Sequence, residues 1–227
     1  MHALNGWLKA VRADGLILVR TRVAGPWGYA MEPGDDVVFH FVAEGRAFVR
    51  RPGAETMELQ AGELVMFPRG GAHEVVHSTR GKAMPLETFM AKRNGVVDRD
   101  PKAVTLICGH FNLDRHLALP ALRALPQAVS LRVGMAAGSS PLSDTLRLLR
   151  REVETPNFGN QIVVRNLLSS LFVYFMRDWG RRHFSGSKRL VFGCALAAHS
   201  AGSRVHARGT RTCVDTRGNF SLTDFLI

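Results

Sequence analysis

The sequence predicts a mainly β fold with some α: a small antiparallel β-barrel followed by an antiparallel pair of helices. Three observations predict it. Between Leu16 and Phe111, short β-prone runs recur at spacings of about ten residues, each bounded by Gly or Pro, which is the signature of a sandwich or barrel. Beyond Pro120 the apolar residues recur with helical period instead of alternating. The third is the stretch Gly62-Glu-Leu-Val-Met-Phe-Pro68-Arg-Gly70-Gly-Ala-His73, whose spacing G-x5-P-x-G-x2-H encodes a strand, a tight turn and a second strand.

In chain order, Asn5–Ala13 reads as a short helix with Trp7, Leu8 and Val11 on one stripe, stopped by Asp14-Gly15. Leu16–Val23 is β-prone, and Gly25-Pro26-Trp27-Gly28 breaks it with a turn that carries one large aromatic. Val37–Phe41, Arg46–Arg51 and Met57–Gln60 are strands separated by turns at Ala43-Glu44-Gly45 and Arg51-Pro52-Gly53-Ala54. Thr79–Asp100, rich in Arg, Lys, Gly and Asp, reads as a long surface loop able to cover an opening. Ala103–Cys108 is a further strand running into Gly109-His110-Phe111. Leu122–Pro126 is a short helical piece.

Ser140-Pro141 supplies an N-cap and a first-turn proline, and Leu142, Leu146, Leu149 and Val153 mark one helical face. A second helix, Gln161–Trp179, carries a wide stripe of Val164, Leu167, Leu168, Leu171, Phe172 and Phe175. A connection of about six residues folds the two helices antiparallel. Their stripes bury against each other and the barrel, and apolar surface left over would make a dimer.

Composition narrows the class. With 227 residues and 46% apolar content, the chain has ample material for a packed core. Three scattered cysteines, Cys108, Cys194 and Cys213, make no disulfide framework and point to a reducing, cytoplasmic location. No leader or membrane-spanning pattern is visible in the sequence. The net charge is +11, and residues 181–227 hold eight Lys or Arg against two Asp, so over half of it sits in an irregular basic tail. That tail could touch phosphate or stay solvated; it has few aromatics and no basic amphipathic repeat.

The chemistry-bearing residues cluster at the barrel stretch. His73, Val75 and His77 share one face of their strand, so the imidazole of His73 can point into the barrel; a surface histidine on an ordinary hairpin fits the spacing equally well. Trp27 reads as a packing residue at the core or barrel mouth, with a ligand platform as the alternative. Cys108 and His110 lie two apart on a strand and can face the same way. With His40 and His73 they would form a closed sulfur and nitrogen set suited to a structural Zn2+, against a reading of Cys108 as a small apolar residue and His40 as a hydrogen-bonded core histidine. No nucleophile and base pair, nucleotide-binding glycine motif or internal repeat accompanies them.

Taken together, these residues resemble the cupin-type N-terminal domain of AraC-family transcriptional regulators, with a jelly-roll-like barrel. Gly62–His73 resembles the second cupin motif, with His77 where many cupins have asparagine. Pro26-Trp27, Val38-Phe-His40-Phe-Val-Ala-Glu44-Gly45, Ile107-Cys-Gly-His110-Phe111 and Ala124-Leu-Pro126 resemble the other landmarks, so the likeness covers residues 4–178. It implies a cupin-like sensory barrel at 1–116, a helical dimerisation segment at 117–180 and a tail at 181–227. The small-molecule effector would bind near Trp27, His40, His73 and His77, and the chain would act as a homodimer without enzymatic activity or required cofactor.

In that family DNA is bound by a separate region of two helix-turn-helix units. The 48 residues after Trp179 show no such pattern, although Gly193–His199 faintly resembles its first helix, so a regulator truncated or shifted out of frame is expected. DNA would then be a partner only through a recognition region supplied elsewhere. The first cupin motif retains His40 but has Val42 two positions later and Arg46-Ala47 where an acidic ligand belongs, which disfavours a metal-dependent dioxygenase or isomerase. That enzyme is the alternative reading, and a stand-alone partner that pairs with full-length regulators is a third.

Overall fold

The computed structural model describes residues 14–114, 118, 122–123, 125–134, 140–155 and 157–183. The elements follow as β1 (Asp14–Val23), β2 (Gly28–Met31), β3 (Val37–Glu44), β4 (Arg46–Arg50), β5 (Met57–Gln60), β6 (Glu63–Phe67), β7 (His73–Val76), β8 (Met84–Pro85), α1 (Leu86–Arg93), β9 (Val104–Asn112), β10 (Val129–Arg132), α2 (Pro141–Glu154) and α3 (Asn160–His183). Two five-stranded sheets result, ordered β1-β9-β3-β6-β10 and β5-β4-β7-β2-β8. Every pairing is antiparallel except that of β2 with β8.

Strand β3 explains the layering. Its sequence, VVFHFVAE, is a nearly continuous apolar run, and seven of its eight residues are buried. A strand reads that way when both faces of its sheet are covered. Val38 and Val42 face inward and join Tyr29, Ala47, Val49, Leu59, Val65, Val75 and Leu106 in a core between the sheets. Val37, Phe39, Phe41 and Ala43 face the other way, into a second core with Leu64, Met66, Ile107, Phe111 and the helices.

The helices form where their stripes predict. Ser140 caps α2, accepting from the Ser143 amide at 3.1 Å, with Pro141 in the first turn. Leu142, Leu146, Leu149 and Val153 are all buried, as are Leu168, Leu171, Phe172 and Phe175 of α3; Val164 and Leu167 pack at the edge. Phe111 and Phe172 meet with ring centroids 5.3 Å apart, fastening α3 to the outer face of the first sheet.

Three boundaries differ from the sequence reading. The barrel does not end at 116: β10 pairs Val129–Arg132 with β6 and completes the sheet edge. Residues 79–100 are not one long loop, since β8 and α1 lie within them, and the buried Phe89 of α1 packs on Tyr29 with centroids 4.9 Å apart. The helix α3 runs on to His183, its last turn held by Arg181 and Arg182 on Asp178 at 2.6 and 2.7 Å. The expected helix at 5–13 and residues 184–227 of the tail lie outside the described residues.

Candidate functional site

Register on β3 carries His40 inward, opposite Val65 of β6 and opposite Cys108 of β9. His73 opens β7, and the turn before it depends on Gly70. That residue has φ of 60°, and a Cβ there would stand 2.2 Å from the Gly34 carbonyl oxygen. Only glycine fits so close a backbone approach at positive φ, and the turn it permits swings His73 into the barrel end. Tyr29 on β2, in the same sheet as His73, completes the group by facing His40 and Cys108 of the other sheet.

These side chains form one hydrogen-bonded chain. The Tyr29 hydroxyl lies 2.8 Å from Cys108 Sγ and 3.0 Å from His40 Nδ1; His40 Nε2 lies 2.7 Å from His73 Nε2; His73 Nδ1 lies 2.7 Å from the Gly71 carbonyl oxygen. A carbonyl can only accept, so with both rings neutral every proton follows. His73 carries its proton on Nδ1 and leaves Nε2 as acceptor; His40 donates from Nε2 and accepts at Nδ1 from Tyr29; Tyr29 accepts from the Cys108 thiol. Phe67 stacks on His73 with centroids 3.9 Å apart and planes 9° apart, walling the chain on one side.

Burial keeps all four groups neutral. It pushes the Tyr29 phenol well above 10 and the Cys108 thiol up to about 12. Burial, then the facing His73, holds His40 well below 6.5. Burial draws His73 down to about 4, opposed by its bond to Gly71 and reinforced by the nearby Arg51 charge. A thiol this reluctant to ionise is a poor nucleophile.

Among the proposed pocket residues, His40 and His73 meet directly. Trp27 is packed at 3% exposure and His77 sits beside it, its Nδ1 3.0 Å from the Trp27 carbonyl oxygen, so this pair closes the β2–β7 end instead of joining the chain. The expected zinc set is not assembled. His110 turns to Asp36, with Nδ1 2.6 Å from the carboxylate, and Cys108 reaches His40 only through Tyr29. Among the described residues no group of three or more His, Cys, Asp or Glu side chains is placed to hold a metal ion. The donors do not fit the four-ligand site, because the carboxylate nearest His110 captures it first.

Tyr29 escapes sequence reasoning, since a lone tyrosine in a four-residue strand has no periodicity to mark it. His73 lines a cleft of about 380 Å³ with Arg50, Arg51, Pro52 and Ala72. On the other side of Arg51 a cleft of about 340 Å³ is lined by Arg69, Gly70, Gly71, Phe67 and Gln127. A larger cleft of about 480 Å³ lies outside the barrel, against α2, where Arg22 and Arg150 both hold Glu44.

A family model described as cupin matches residues 2–181. The chain belongs to the cupin family. Its resemblance to the cupin-type sensory domain of AraC-family regulators also stands. This cupin is 25% identical over 188 residues to the HTH-type transcriptional regulator AlkR of Acinetobacter baylyi, covering 78% of this chain and 61% of that protein. Among solved structures it is similar to unsaturated fatty acid-bound ToxT from Vibrio cholerae, with TM-score 0.44, 9% identity and 76% and 57% of the two chains covered. Escherichia coli YhaK gives TM-score 0.32 and 16% identity, with 58% and 54% covered. The cupin therefore spans about 61% of the length of the curated regulator it matches. Among the described residues no helix is long and apolar enough to cross a membrane.

Proposed function

We propose that this cupin is the ligand-sensing and dimerisation domain of an AraC-type regulator, that its effector binds at the barrel mouth over His73, and that it performs no chemistry. One observation carries the reading: the Cys108–Tyr29–His40–His73 chain is neutral and internally satisfied, yet ends at a cleft large enough for a small metabolite. Such a chain has no open coordination position and no ionised nucleophile, which disfavours the metal-dependent enzyme. It is suited to transmitting a contact at His73 to β3 and β9, the strands whose outer faces bear the helices. An effector acts this way only if it binds one packing of that interface better than another.

The helix pair is the proposed pairing surface. Leu148 of α2, Phe158 in the connection and Ile162 and Val163 of α3 are exposed apolar residues, Phe158 fully so. Genome-directed control requires a DNA-recognition region beyond the residues described.

The experiment is a thermal-shift screen of the purified protein against small metabolites, alongside sedimentation of the same sample. A native-state ligand raises the melting temperature by mass action. A positive compound that no longer acts on His73→Phe, with a dimer dissociated by Ile162→Asp, supports the reading. Turnover by metal-loaded protein would overturn it.

A further inference from the structure

The charged groups around the mouth are unevenly matched. The terminal nitrogens of Arg50 are employed, donating to Gly81 and Thr79 carbonyls and pairing with Glu74 at 2.6 Å, although its Nε is buried without a hydrogen-bond partner. Arg51 differs. Its Nε is buried without a partner as that of Arg50 is, but among the described residues nothing pairs with its terminal nitrogens either. A buried donor on a permanent cation is costly to leave unsatisfied, so a partner outside the described residues is called for. Arg69, across the same cleft, likewise has no ion-pair partner among the described residues.

The cleft between them is chemically one-sided. Its lining is Arg51, Arg69, Gln127, Pro52, Phe67 and Ala72 around the Gly70-Gly71 turn, with no acidic residue. The outer cleft against α2 makes the contrast, since there Glu44 and Glu154 already answer the arginines. The two arginines can grip an oxyanion in the planar, bidentate way that guanidinium favours, while Pro52, Phe67 and Ala72 accept an apolar body. Phe67 links the cleft to the buried chain through its stack on His73.

We infer that the Arg51–Arg69 cleft is an oxyanion site, and that the effector is a small organic carboxylate or phosphate monoester with an apolar body. This rests on the barrel mouth being the effector site. At about 340 Å³ the cleft suits a single-ring compound.

The test titrates the full chain with benzoate, phenyl phosphate and benzamide, reading both melting temperature and calorimetric affinity, on wild type, Arg51→Met and Arg51→Lys. The expected result is saturable binding of benzoate or phenyl phosphate at millimolar concentration or below, at least tenfold weaker binding of benzamide, and at least tenfold loss in Arg51→Met. Arg51→Lys should bind with intermediate affinity, because it keeps the charge without the fork. Whichever anion binds more tightly identifies the headgroup class. Without ligand, Arg51→Met should melt at or above the wild-type temperature, since it removes a buried donor that nothing satisfies. Benzamide binding as tightly as benzoate, or anion binding that survives Arg51→Met, overturns the oxyanion inference and leaves the mouth as effector site. Anion binding that is lost on Arg51→Met but kept in His73→Phe, with metabolites acting elsewhere, upholds the oxyanion site and removes the effector reading. No binding by any of the three probes overturns the inference.

Discussion

The two cores of this protein are built from opposite faces of the same sheet, and they satisfy their polar groups differently. On the helix side two buried polar side chains settle within their own helix, Thr145 Oγ1 donating to the Pro141 carbonyl at 2.8 Å and Asp178 taking Arg181 and Arg182, while Thr105 donates across to Glu44 at 2.9 Å. Between the sheets, the bonds of Tyr29, His40, His73 and Cys108 run across β2, β3, β7 and β9. A locally satisfied group survives movement of its element as a unit. A chain spread over four strands does not, so displacement of any one of these strands disturbs the inner core.

The largest effect should therefore come from the outer core and be indifferent to pH. Phe172 is fully buried between Phe111 and the neighbouring helix residues. Phe172→Ala is expected to cost about 3–5 kcal/mol by lost transfer and residual cavity. Urea denaturation at pH 7.5 and 5.5 should give the same loss at both. A loss under about 1 kcal/mol would mean that α3 does not share this core.

The inner core should do the reverse. His73 is held at about 4 when folded, below its ordinary 6.5, so the unfolded chain takes up the proton first as pH falls. Stability from neutral His73 is complete above about 6.5 and is lost as pH drops towards 4, amounting to about 3 kcal/mol over that window. His40, lowered by burial and by His73, adds in the same direction. The His73→Gln variant can still accept from His40 and donate to Gly71 but cannot titrate. Its urea midpoint should fall more gently than wild type between pH 6.5 and 4.5; parallel curves would place the acid sensitivity elsewhere.

How much of this was legible in the sequence follows from how far each signal reaches along the chain. Strands with strict turns and helices with full stripes were readable, because Gly70, Ser140-Pro141 and the Leu168–Phe175 face are determined by neighbours within a few residues. Alternation allowed His73 to point inward but fitted a surface histidine equally well, and His40 was marked only by its motif. Tyr29 was not visible, since its importance comes from β2 lying against β7 and facing β3, a pairing that no local pattern states. The zinc set failed for a related reason: Cys108 and His110 do lie two apart, but Asp36 comes from the turn before β3 and reaches His110. The helix α1 was hidden in a charged stretch because it buries essentially one side chain, Phe89. A four-residue edge strand such as β10 carries too little alternation to announce itself.

The smallest expected effect sharpens the comparison most, because it tests the direction of the buried chain. If Gly71 fixes His73 as the Nδ1–H tautomer, then His40 is the Nε2–H tautomer and the Tyr29 proton points to His40. Tyr29→Phe then strips both His40 Nδ1 and the Cys108 thiol of their partner and should cost about 1–3 kcal/mol. Cys108→Ser keeps a donor at the chain's end and should cost less than about 1 kcal/mol, chiefly through its smaller volume. Nitrogen-15 spectra of the two imidazoles at pH 7.5 should show opposite tautomers. Two Nε2–H rings would leave protons facing each other across 2.7 Å, so that observation would dismantle the proton order and the coupling from mouth to sheet that depends on it.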